Sequence, residues 1–433
     1  KKSQNRTETD PWGRALPEWS DYSVPPTPER GWADIFTYSY LPSDVAYGTW
    51  RFKYKFPEGS RAQIADFCYI TNSEDGDVCY SRVWDAHHHC TVNGFSFDYD
   101  GAGIYSDDKW HTVTIIRTKE GWFYQYEDKY FDIWTHDNSI NTSGGIFVRL
   151  MDGDYDVFLD SIEVYKDRYI FPKNEIEYGS YISNYYCHDY GYYPIYKNGI
   201  IIKGRNITLK EIAEEINSPE LFSYDEVNKV AACNTNLVLD EASRLTIENE
   251  TLIIKDGYEF AVKYSSWLEI KNATVTSDGV FTWNFASSST HYGNERLWQD
   301  PHIKERGYLY NTMPLGHSCN CAVVIKNSNI LNSTHFLLDS PYYVVIENST
   351  FLLTESDIGN YTCTGSYSNV LREERDFLKG NKSFWAYTDD VNLDEFIVKD
   401  VVFEGKDEEI NVTFLINAHR DKINLYDIKV RNG

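Results

Sequence analysis

A short phrase recurs through the second half of the chain and strongly constrains how that half can fold. It consists of an apolar residue, any residue, Asn or Asp, two further residues and a second apolar residue. Its clearest copies begin at Ile325 and Ile346 and carry Asn327 and Asn348 at the third position. The leading apolar residues of all six copies are Ile247, Ile270, Ile325, Ile346, Val398 and Leu425. A period of about 20–30 residues indicates a solenoid, which is a stack of similar coils.

The spacing of the copies is uneven. The steps from Ile270 to Ile325 and from Ile346 to Val398 are about twice as long as the other steps. Such steps would follow if one copy in each had lost its recognisable residues. We therefore predict an unrecognised coil within each long step.

The phrase has a simple physical interpretation if each coil lays a strand on the strand of the coil before it. The apolar positions then stack into a continuous core, and the Asn or Asp lies where the chain bends between two strands. Asn tolerates the left-handed conformation of such a bend, and its amide can bond the Asn of the next coil. This pattern resembles the right-handed parallel β-helix family, which includes pectate lyases and many microbial surface proteins. The resemblance spans about Asn234 to Gly433 and implies architecture rather than chemistry. Antiparallel strands in a sandwich are the alternative.

The first half of the chain is also rich in strand patterns. Trp50, Phe52 and Tyr54 alternate with polar residues, which predicts a strand with one buried face. Further strands are predicted at Lys109–Arg117, Trp122–Tyr126 and Val157–Tyr165. Two phrases are similar to strands of laminin-G-like, concanavalin-type jelly rolls: Asp108-Lys109-Trp110-His111-x-Val113 through Arg117, and Phe158 through Tyr165. The resemblance implies a two-sheet sandwich at residues 31–167, a module commonly used for glycan binding or packing. The calcium ligands of that family have no residue-by-residue match in this chain.

Two further segments complete the predicted organisation. Residues 1–30 contain five prolines and no apolar period, so we expect an arm that lies on a neighbour or a tail without a core of its own. Residues 168–233 are predicted to form a connector with a hairpin turn at Asn198-Gly199. The predicted fold class is all-β: an N-terminal concanavalin-like β-sandwich, followed at residues 234–433 by a right-handed parallel β-helix with a short N-terminal capping helix.

That helix is predicted at residues 208–216. Leu209, Ile212 and Ile216 fall on one face, and Thr208 with Glu211 fits a capping box. A short amphipathic helix directly before a β-helix would cover the first coil, whose core and strand edges would otherwise be exposed.

Composition restricts the class of protein. The 433 residues include 35 Tyr and 12 Trp but only 2 Met, which is typical of β-rich extracellular proteins. A net charge of −25 argues against nucleic-acid binding, which needs a clustered basic face, and indicates a solvated acidic surface. No apolar run reaches the about 18 residues that span a bilayer. The chain begins Lys1-Lys2-Ser3, and we expect a mature secreted form whose targeting segment has been removed.

The eight cysteines include no Cys-x-x-Cys pair, which argues against a zinc ribbon. An even count beside glycosylation motifs favours an oxidising compartment. Cys68 and Cys79 bracket a turn-rich segment, and we predict that they face each other across a hairpin. A second disulfide is predicted between Cys363 and either Cys319 or Cys321. Free buried thiols are the alternative.

Ten Asn-x-Ser/Thr motifs are more than chance would supply, and we predict that several carry N-glycans. Asn249, Asn272 and Asn348 occupy the bend of the repeated phrase and are expected to be bare if their amides stack inward. The predicted glycosylation sites are the other seven: Asn5, Asn141, Asn206, Asn332, Asn360, Asn381 and Asn411.

Two kinds of cluster are candidate metal ligands. Adjacent residues of a strand point to opposite faces, so at most two side chains of the His87–His89 run could hold one ion, and an exposed loop is the favoured interpretation. Asp152, Asp154 and Asp156, or residues 74–77, could supply oxygen ligands to calcium, although neither group has the EF-hand spacing. We predict no cofactor, with calcium as the alternative.

Catalysis by a β-helix glycosidase or lyase needs paired carboxylates, or calcium-binding acids with a basic residue, along one groove. The residues one position before the leading apolar residue are Thr246, Glu269, Val324, Val345, Ile397 and Asn424. Glu269 is the one acid among them, and no adjacent copy supplies its partner. The sequence also contains no serine-hydrolase elbow, zinc-peptidase motif or phosphate loop. We therefore predict that the chain is not an enzyme.

Together these features predict an archaeal or bacterial protein that is secreted or displayed on the cell surface. Its predicted role is structural, as a glycosylated subunit of an extracellular layer, sheath, tube or filament. The expected partners are copies of itself and covalent N-glycans, without nucleic acid and without a transmembrane segment. The alternative is a secreted carbohydrate-binding or polysaccharide-cleaving protein, with the sandwich as binding module and the β-helix groove as site.

Overall fold

A computed structural model of the chain consists almost entirely of β-strands in the part that it describes. The described residues are 36–42, 45–55, 64–71, 78–84, 87–92, 95–100, 108–119, 122–126, 129–134, 143–151, 158–188, 191–240, 242–263, 266–285, 321–334, 336–339, 341, 343–354, 384–388, 395–406, 409–410, 412–416 and 423–432. The described elements divide into two compact units, the first ending at Phe171 and the second beginning at Pro172.

The first unit contains two antiparallel sheets, and the chain therefore carries the predicted β-sandwich. The six-stranded sheet contains, in spatial order, β1 (Phe36–Pro42), β10 (Ser143–Met151), β3 (Ile64–Thr71), β4 (Val78–Trp84), β5 (His87–Val92) and β6 (Phe95–Asp100). The five-stranded sheet contains, in spatial order, β11 (Phe158–Lys166), β2 (Gly48–Lys55), β7 (His111–Arg117), β8 (Trp122–Tyr126) and β9 (Lys129–Trp134).

Strand β2 shows how the sequence pattern produces the core of the sandwich. Trp50, Phe52 and Tyr54 are fully buried, whereas the residues between them are only half-buried. The alternation predicted from the sequence is therefore confirmed for this strand. Buried residues of β7 and β8 belong to the same unit: Val113, Ile115, Ile116 and Phe123.

Parallel strand pairs dominate the second unit. The five-stranded sheet contains β12 (Glu175–His188), β13 (Gly191–Lys203), β16 (Asn236–Leu239), β19 (Glu259–Val262) and β22 (Thr282–Phe285), and it is parallel from β13 onward. A separate three-stranded parallel sheet contains β25 (Phe336–Asp339), β28 (Phe384–Thr388) and β30 (Val412–Ile416).

The twelve-stranded sheet of the second unit holds two parallel ladders that meet at one long strand, β29 (Glu395–Gly405). The first ladder contains β17 (Arg244–Glu248), β20 (Trp267–Lys271), β23 (Ala322–Lys326) and β26 (Tyr343–Glu347). The second contains β15 (Val230–Cys233), β18 (Thr251–Ile254), β21 (Thr274–Ser277), β24 (Asn329–Ser333) and β27 (Thr350–Leu353), with β14 (Phe222–Asp225) antiparallel to β15. Strand β31 (Ile423–Arg431) pairs with both halves of β29.

The register of these ladders stacks like residues on like residues. Consecutive copies of the repeated phrase are neighbours, because Ile247 pairs with Ile270, and each leading residue pairs with the next as far as Leu425. The members from Ile247 to Val398 are fully buried. A second buried column in the other ladder runs Ala231, Leu252, Val275, Ile330, Phe351 and Phe403. Burying such columns supplies about 25 cal/mol for each Å² of apolar surface removed from water.

The Asn or Asp of each phrase forms the predicted bend. The third residues of all six copies have φ between 46° and 57°, in the left-handed region: Asn249, Asn272, Asn327, Asn348, Asp400 and Asp427. The amide of Asn327 donates to Asn272 Oδ1 at 3.2 Å, and that of Asn348 donates to Asn327 Oδ1 at 2.8 Å. The predicted amide contacts are confirmed for these pairs, but the side chains lie at an exposed edge rather than turned inward.

The prediction of a lost coil in each long step is wrong. Strand β20 pairs directly with β23, and β26 pairs directly with β29. The two long steps are therefore longer stretches of chain between strands: residues 286–321 separate β22 from β23, and residues 354–394, which include β28, separate β27 from β29. A parallel ladder fixes only where the chain returns, so the spacing of copies along the sequence does not count the rungs.

The predicted hairpin turn at Asn198-Gly199 is also wrong. Both residues lie within β13, where Gly199 pairs with Gly179 of β12, and β12 and β13 pair as far as His188 and Gly191. Gly199 serves a different purpose, since a Cβ atom at this position would lie 2.7 Å from the carbonyl oxygen of Asn236. The glycine allows close approach of β16 rather than a turn.

The predicted helix is confirmed as α1 (Leu209–Ile216). Its N-cap, Thr208, accepts a hydrogen bond from Glu211 N at 3.3 Å, and the Glu211 carboxylate accepts one from Thr208 N at 3.3 Å, which completes the capping box. Leu209 and Ile212 are fully buried in the core cluster of the second unit. Within the described part of the chain, no helix has the length and apolar character needed to cross a bilayer.

Candidate functional site

An exposed group of aromatic and charged side chains lies on the five-stranded sheet of the sandwich. We call it the Trp110 patch, and its members are Lys53, Lys55, Asp108, Trp110, Phe158 and Asp160. Trp110 is 43% exposed and Phe158 is 47% exposed. Large aromatic side chains grouped on a surface, rather than scattered singly, are a common mark of a binding site.

The strand pattern brings the members of the patch together. The alternation of β2 buries Trp50, Phe52 and Tyr54 on one face and therefore places Lys53 and Lys55 on the other. Phe158, the first residue of β11, pairs with Lys55, and His111, the first residue of β7, pairs with Tyr54. Trp110 directly precedes β7 and so lies beside the same end of β2.

Charged groups surround both rings of the patch. Lys53 Nζ lies 5.4 Å and Lys55 Nζ lies 5.6 Å from the centroid of the Trp110 ring, and Lys55 Nζ lies 5.2 Å from that of Phe158. Lys53 also contacts an oxygen of Asp160 at 2.7 Å, and Lys55 contacts one of Asp108 at 2.9 Å. The two ammonium groups and two carboxylates balance in charge. Exposed pairs of this kind contribute only about 0–1 kcal/mol to stability.

The arrangement offers two kinds of interaction to one ligand. The aromatic rings present flat apolar surface, and the carboxylates and ammonium groups at their edges accept and donate hydrogen bonds. A ligand with an apolar face and a rim of hydroxyl groups would satisfy both.

Glu269, the acid singled out from the repeated phrase, lies in the first ladder of the second unit and is only 6% exposed. Its carboxylate accepts hydrogen bonds from Arg244 at 3.2 Å, from Thr246 at 3.3 Å and from Lys271. Burial opposes its ionisation, but the bonds from Lys271 and Arg244 outweigh burial and hold the pKa of the carboxyl below its usual range. Glu269 is therefore an ionised partner of two cations, which does not suit a general acid.

Next to Glu269, an aromatic stack begins at Arg244 and runs along the first ladder. The Arg244 guanidinium lies 4.8 Å from the centroid of the Trp267 ring, and the Tyr343 ring stacks on Trp267 at 5.3 Å. Ala322 occupies the rung between the two rings, and its small side chain lets them meet across it. Trp267 is only 8% exposed, so it offers little ring surface to a ligand.

A third polar group is buried between the β12–β13 hairpin and β19. The carboxylate of Glu259 accepts hydrogen bonds from Tyr181, from Ser183 at 3.0 Å and from Lys197 at 2.6 Å. Lys263, on the same face, donates to the carbonyl oxygen of Ser183 at 2.7 Å. These contacts join the hairpin to the parallel sheet.

The charges of this buried group influence one another. Burial lowers the pKa of Lys263 to about 8, although the negative charges of Glu259 and Asp240 oppose the change. For Glu259, burial favours the neutral acid, but the charges of Lys197 and Lys263 outweigh it, so its pKa is lowered. Burial and the Glu259 charge raise the pKa of Tyr181. Apart from Lys197, whose side chain is 44% exposed, the group is buried, and it is suited to holding the hairpin in place.

Two of the seven predicted glycosylation sites lie among the described residues. Asn206 is exposed just before α1. Asn332 is half-buried, and its amide nitrogen donates to Ser277 O at 3.1 Å, while Thr334 of its motif is 4% exposed. The remaining five lie outside the described residues: Asn5, Asn141, Asn360, Asn381 and Asn411. Glycosylation stays a prediction.

The structure describes three of the five cysteines in the predicted disulfides. Cys321 is fully buried in the core cluster of the second unit and is not part of a disulfide, so its predicted disulfide is not formed in this structure. Cys68 and Cys79 lie on the paired strands β3 and β4, as predicted, but Cys68 pairs with Tyr80 and Cys79 with Tyr69. The backbone positions of the two cysteines are therefore one residue out of direct register. Cys319 and Cys363 lie outside the described residues.

The candidate metal ligands lie mostly beyond the described part of the chain. Asp152, Asp154 and Asp156 fall outside it. The run His87–His89 lies in strand β5, so the interpretation as a loop is wrong for its backbone. The described residues contain no group of three His, Cys, Asp or Glu side chains able to hold a metal ion. Calcium binding stays an open prediction.

From the sequence, Trp110 and Phe158 were predicted only as parts of strands of the sandwich and not as members of a surface patch. The patch depends on the register between β2 and β11, which the sequence does not specify. Two sequence features could have indicated the patch: the alternation of β2, which places its lysines on one face, and the tryptophan directly before β7. Glu259 and Lys263 were also missed, although two charges four residues apart on an otherwise apolar strand indicate one shared face.

The first unit is thus an antiparallel β-sandwich with an exposed aromatic patch. Among solved structures, a tetrameric galectin from the ball sponge Cinachyrella sp. is similar over 30% of this chain and 99% of its own, at 10% identity and a TM-score of 0.24. A Bacillus licheniformis beta-glucanase is similar over 30% and 71%, at 13% identity and a TM-score of 0.24. The Bacillus subtilis carbohydrate-binding module CBM66 is similar over 30% and 81%, at 12% identity and a TM-score of 0.24. No protein-family model and no curated protein matches the chain.

Proposed function

We propose that this protein binds carbohydrate and that the Trp110 patch is its binding site. The observation that carries the proposal is the exposure of Trp110 and Phe158 beside paired carboxylate and ammonium groups. A pyranose ring has an apolar C–H face and a rim of hydroxyl groups, which matches these two kinds of surface. Recognition would join ring contact on the aromatic faces to hydrogen bonds with Asp108, Asp160 and the two lysines.

Titration of the full chain with a panel of soluble glycans tests the proposal. We expect at least one glycan to bind, and Trp110→Ala to weaken that binding by about tenfold or more, because aromatic anchors dominate many binding sites. The matched control is Tyr178→Ala, which removes a 49% exposed ring from the second unit. Calorimetry would measure affinity, and thermal unfolding would show that both variants fold.

Two results would contradict carbohydrate binding at this patch. One is the failure of every neutral and charged glycan in the panel to bind the unaltered chain. The other is equal affinity for Trp110→Ala and the unaltered chain, which would place any binding elsewhere.

For the second unit, we propose that its parallel ladders are the faces of a right-handed parallel β-helix and that α1 caps its first coil. Three observations support this architecture. Copies of the phrase stack in register, residues with left-handed backbone lie between the ladders, and Leu209 and Ile212 are buried against the core of the ladders.

A second candidate function is the structural one, in which the chain is a subunit of an extracellular layer, sheath, tube or filament. The unbroken columns of the second unit favour it, since a stack of this kind is long and regular. We further propose that the protein works outside the cell, carries N-glycans and is not an enzyme. Electron microscopy of native material tests the assembly, and a mass shift after enzymatic deglycosylation tests the glycans.

A further inference from the structure

Three polar side chains on neighbouring strands of the second unit meet above a small one. Glu259 and Lys263 stand two residues before and two residues after Ala261, so the three side chains point to the same face of the sheet. Asn284 of β22 pairs with Ala261 of β19, which places its amide between the two charged side chains. Because the alanine fills little space, the longer side chains can converge above it.

Hydrogen bonds show how close these side chains are. Lys263 Nζ donates to Ser183 O at 2.7 Å, and Asn284 Nδ2 donates to the same oxygen at 2.8 Å. The two nitrogens are therefore no farther apart than the two bond lengths together. Asn284 Nδ2 also donates to Glu259 Oε1 at 3.3 Å. An amine, a carboxamide and a carboxylate thus share one small space.

The surroundings favour a lysine that can act as a nucleophile. Lys263 is fully buried, and its Nζ lies 5.9 Å from the centroid of the Tyr181 ring. Tyr181 belongs to a buried apolar cluster with Ile201, Val238 and Ala261. Burial lowers the pKa of Lys263 to about 8, so much of the amine is neutral in mildly alkaline solution. A desolvated neutral lysine is a nucleophile, whereas its ammonium form is not.

We propose that Lys263 and Asn284 form an isopeptide bond in the folded chain, with Glu259 as the group that moves the proton. Lys263 Nζ attacks Asn284 Cγ, the bond from Cγ to Nδ2 breaks, and Nδ2 leaves as ammonia. The Glu259 carboxylate takes one proton from the attacking nitrogen and gives it to Nδ2 as that group leaves. The products are a secondary amide and one ammonia, and no oxidant is consumed.

A second lysine touches the same carboxylate. Lys197 Nζ lies 2.6 Å from Glu259 Oε2, on the oxygen that does not accept from Asn284. Its side chain is 44% exposed, and water stabilises the charged ammonium form there. Lys263 is buried and shares an acceptor with Asn284, so the geometry selects Lys263 as the nucleophile.

The bond ties β19 to β22, which are paired strands of the parallel sheet. An amide of this kind withstands reducing agents, unlike a disulfide. The titration of Lys263 belongs to the chain before this reaction, because an amide nitrogen carries no charge in this pH range. The proposal does not depend on carbohydrate binding.

Mass spectrometry of the full chain, incubated in its folded state at about pH 9, tests the proposal, since that pH exceeds the pKa of Lys263. The chain should become lighter by one ammonia. A tryptic digest should contain a peptide in which Lys263 and Asn284 are joined, without cleavage after Lys263. The joined peptide is the decisive observation, because cyclisation of an asparagine also releases ammonia. Chain held unfolded in denaturant at the same pH should not form the link.

Variants separate the roles of the three groups. Lys263→Met and Asn284→Ala should each abolish the link. Glu259→Gln should slow it at least about tenfold, because a positioned general acid–base group contributes at least that much. The matched control is Lys197→Met, which removes a neighbour of the same carboxylate and should still form the link. Thermal unfolding would show that each variant folds.

Three outcomes would overturn the proposal. The folded, unaltered chain might yield no joined peptide, which would leave Lys263 a structural hydrogen-bond donor. Glu259→Gln might link at the full rate, which would contradict the proton path. A joined peptide might contain Lys197 in place of Lys263, which would contradict the choice of nucleophile. None of these results bears on glycan binding, because the Trp110 patch belongs to the other unit.

Discussion

At the scale of single residues, Gly199 shows how tightly the second unit is packed. A Cβ atom at this position would lie 2.7 Å from Asn236 O, a distance that real Cβ atoms do not tolerate. We predict that Gly199→Ala lowers the free energy of unfolding by about 1–3 kcal/mol, as overpacking generally does. Chemical denaturation measures the change.

The matched control for this prediction is Gly179→Ala, since Gly179 pairs directly with Gly199. A Cβ atom there would meet Ile201 Cδ1 at an ordinary 3.5 Å. We expect a change of less than about 1 kcal/mol, because alanine at a compatible site mainly reduces the freedom of the unfolded chain. Equal losses for the two variants would contradict the role assigned to Gly199.

Lys263 provides a prediction about pH. Burial lowers its pKa in the folded chain to about 8, whereas the unfolded chain keeps the proton up to the usual value of 10.5. Between these two pKa values the unfolded state binds more protons than the folded state, so the free energy of unfolding rises with pH across this window. The stability that comes from a neutral Lys263 is lost as pH falls through about 8. Measuring the free energy of unfolding from pH 7 to 10 should reveal this slope, and Lys263→Met should remove it.

The control for Lys263 is Lys210, whose pKa is raised by a hydrogen bond from its ammonium to exposed Glu226. A raised pKa contributes stability that is lost as pH rises through it, the opposite sign. Lys210→Met should therefore not flatten the rise. An unchanged slope in Lys263→Met would show that other groups cause it.

Residue roles were predictable from the sequence where local conformation alone decides them. Asn327 and Asn348 were placed at bends because a left-handed conformation suits asparagine, and both φ values agree. Trp110, Glu259 and Lys263 were not predicted as groups, because each depends on which strand lies beside which. Register carries that information, and a single sequence does not encode it in any local pattern.

At the scale of elements, α1 depends on its N-cap. Thr208→Ala removes the hydroxyl that accepts the bond from Glu211 N, and we predict a loss of about 1 kcal/mol in the free energy of unfolding. Hydrogen exchange of the amides in residues 209–216 should quicken as well. Denaturation of protein lacking N-glycans measures the effect cleanly, since Thr208 also belongs to the Asn206 motif.

Thr208→Ser is the companion variant for this test. It keeps both the capping hydroxyl and the glycosylation motif, so its stability should stay close to that of the unaltered chain. If Thr208→Ser destabilises as much as Thr208→Ala, packing of the threonine methyl group rather than capping would explain the loss.

Strand and helix predictions succeeded where one face of an element is buried. In β2 the buried residues, beginning with Trp50, alternate with less buried ones, as a strand requires. In α1 the buried residues, beginning with Leu209, fall on one face of the helix. The Asn198-Gly199 turn failed because the same dipeptide satisfied a different need. A glycine required for close approach of β16 looks identical in sequence to one required for a turn.

At the scale of the whole molecule, the β-sandwich of the first unit and the parallel register of the second were predictable from the sequence. The number of rungs was misjudged, because it depends on which strand lies beside which. Ile270 and Ile325 are neighbours in space despite their distance in the chain.

The long connection between β22 and β23 has a broader consequence. The rungs before and after residues 286–321 keep their pairing as if the connection were short. Doubling the length of a flexible loop costs only about 0.6 kcal/mol in closure entropy. New sequence, or an entire inserted module, can therefore accumulate at this place during evolution or by engineering, while the rest of the scaffold keeps its dimensions.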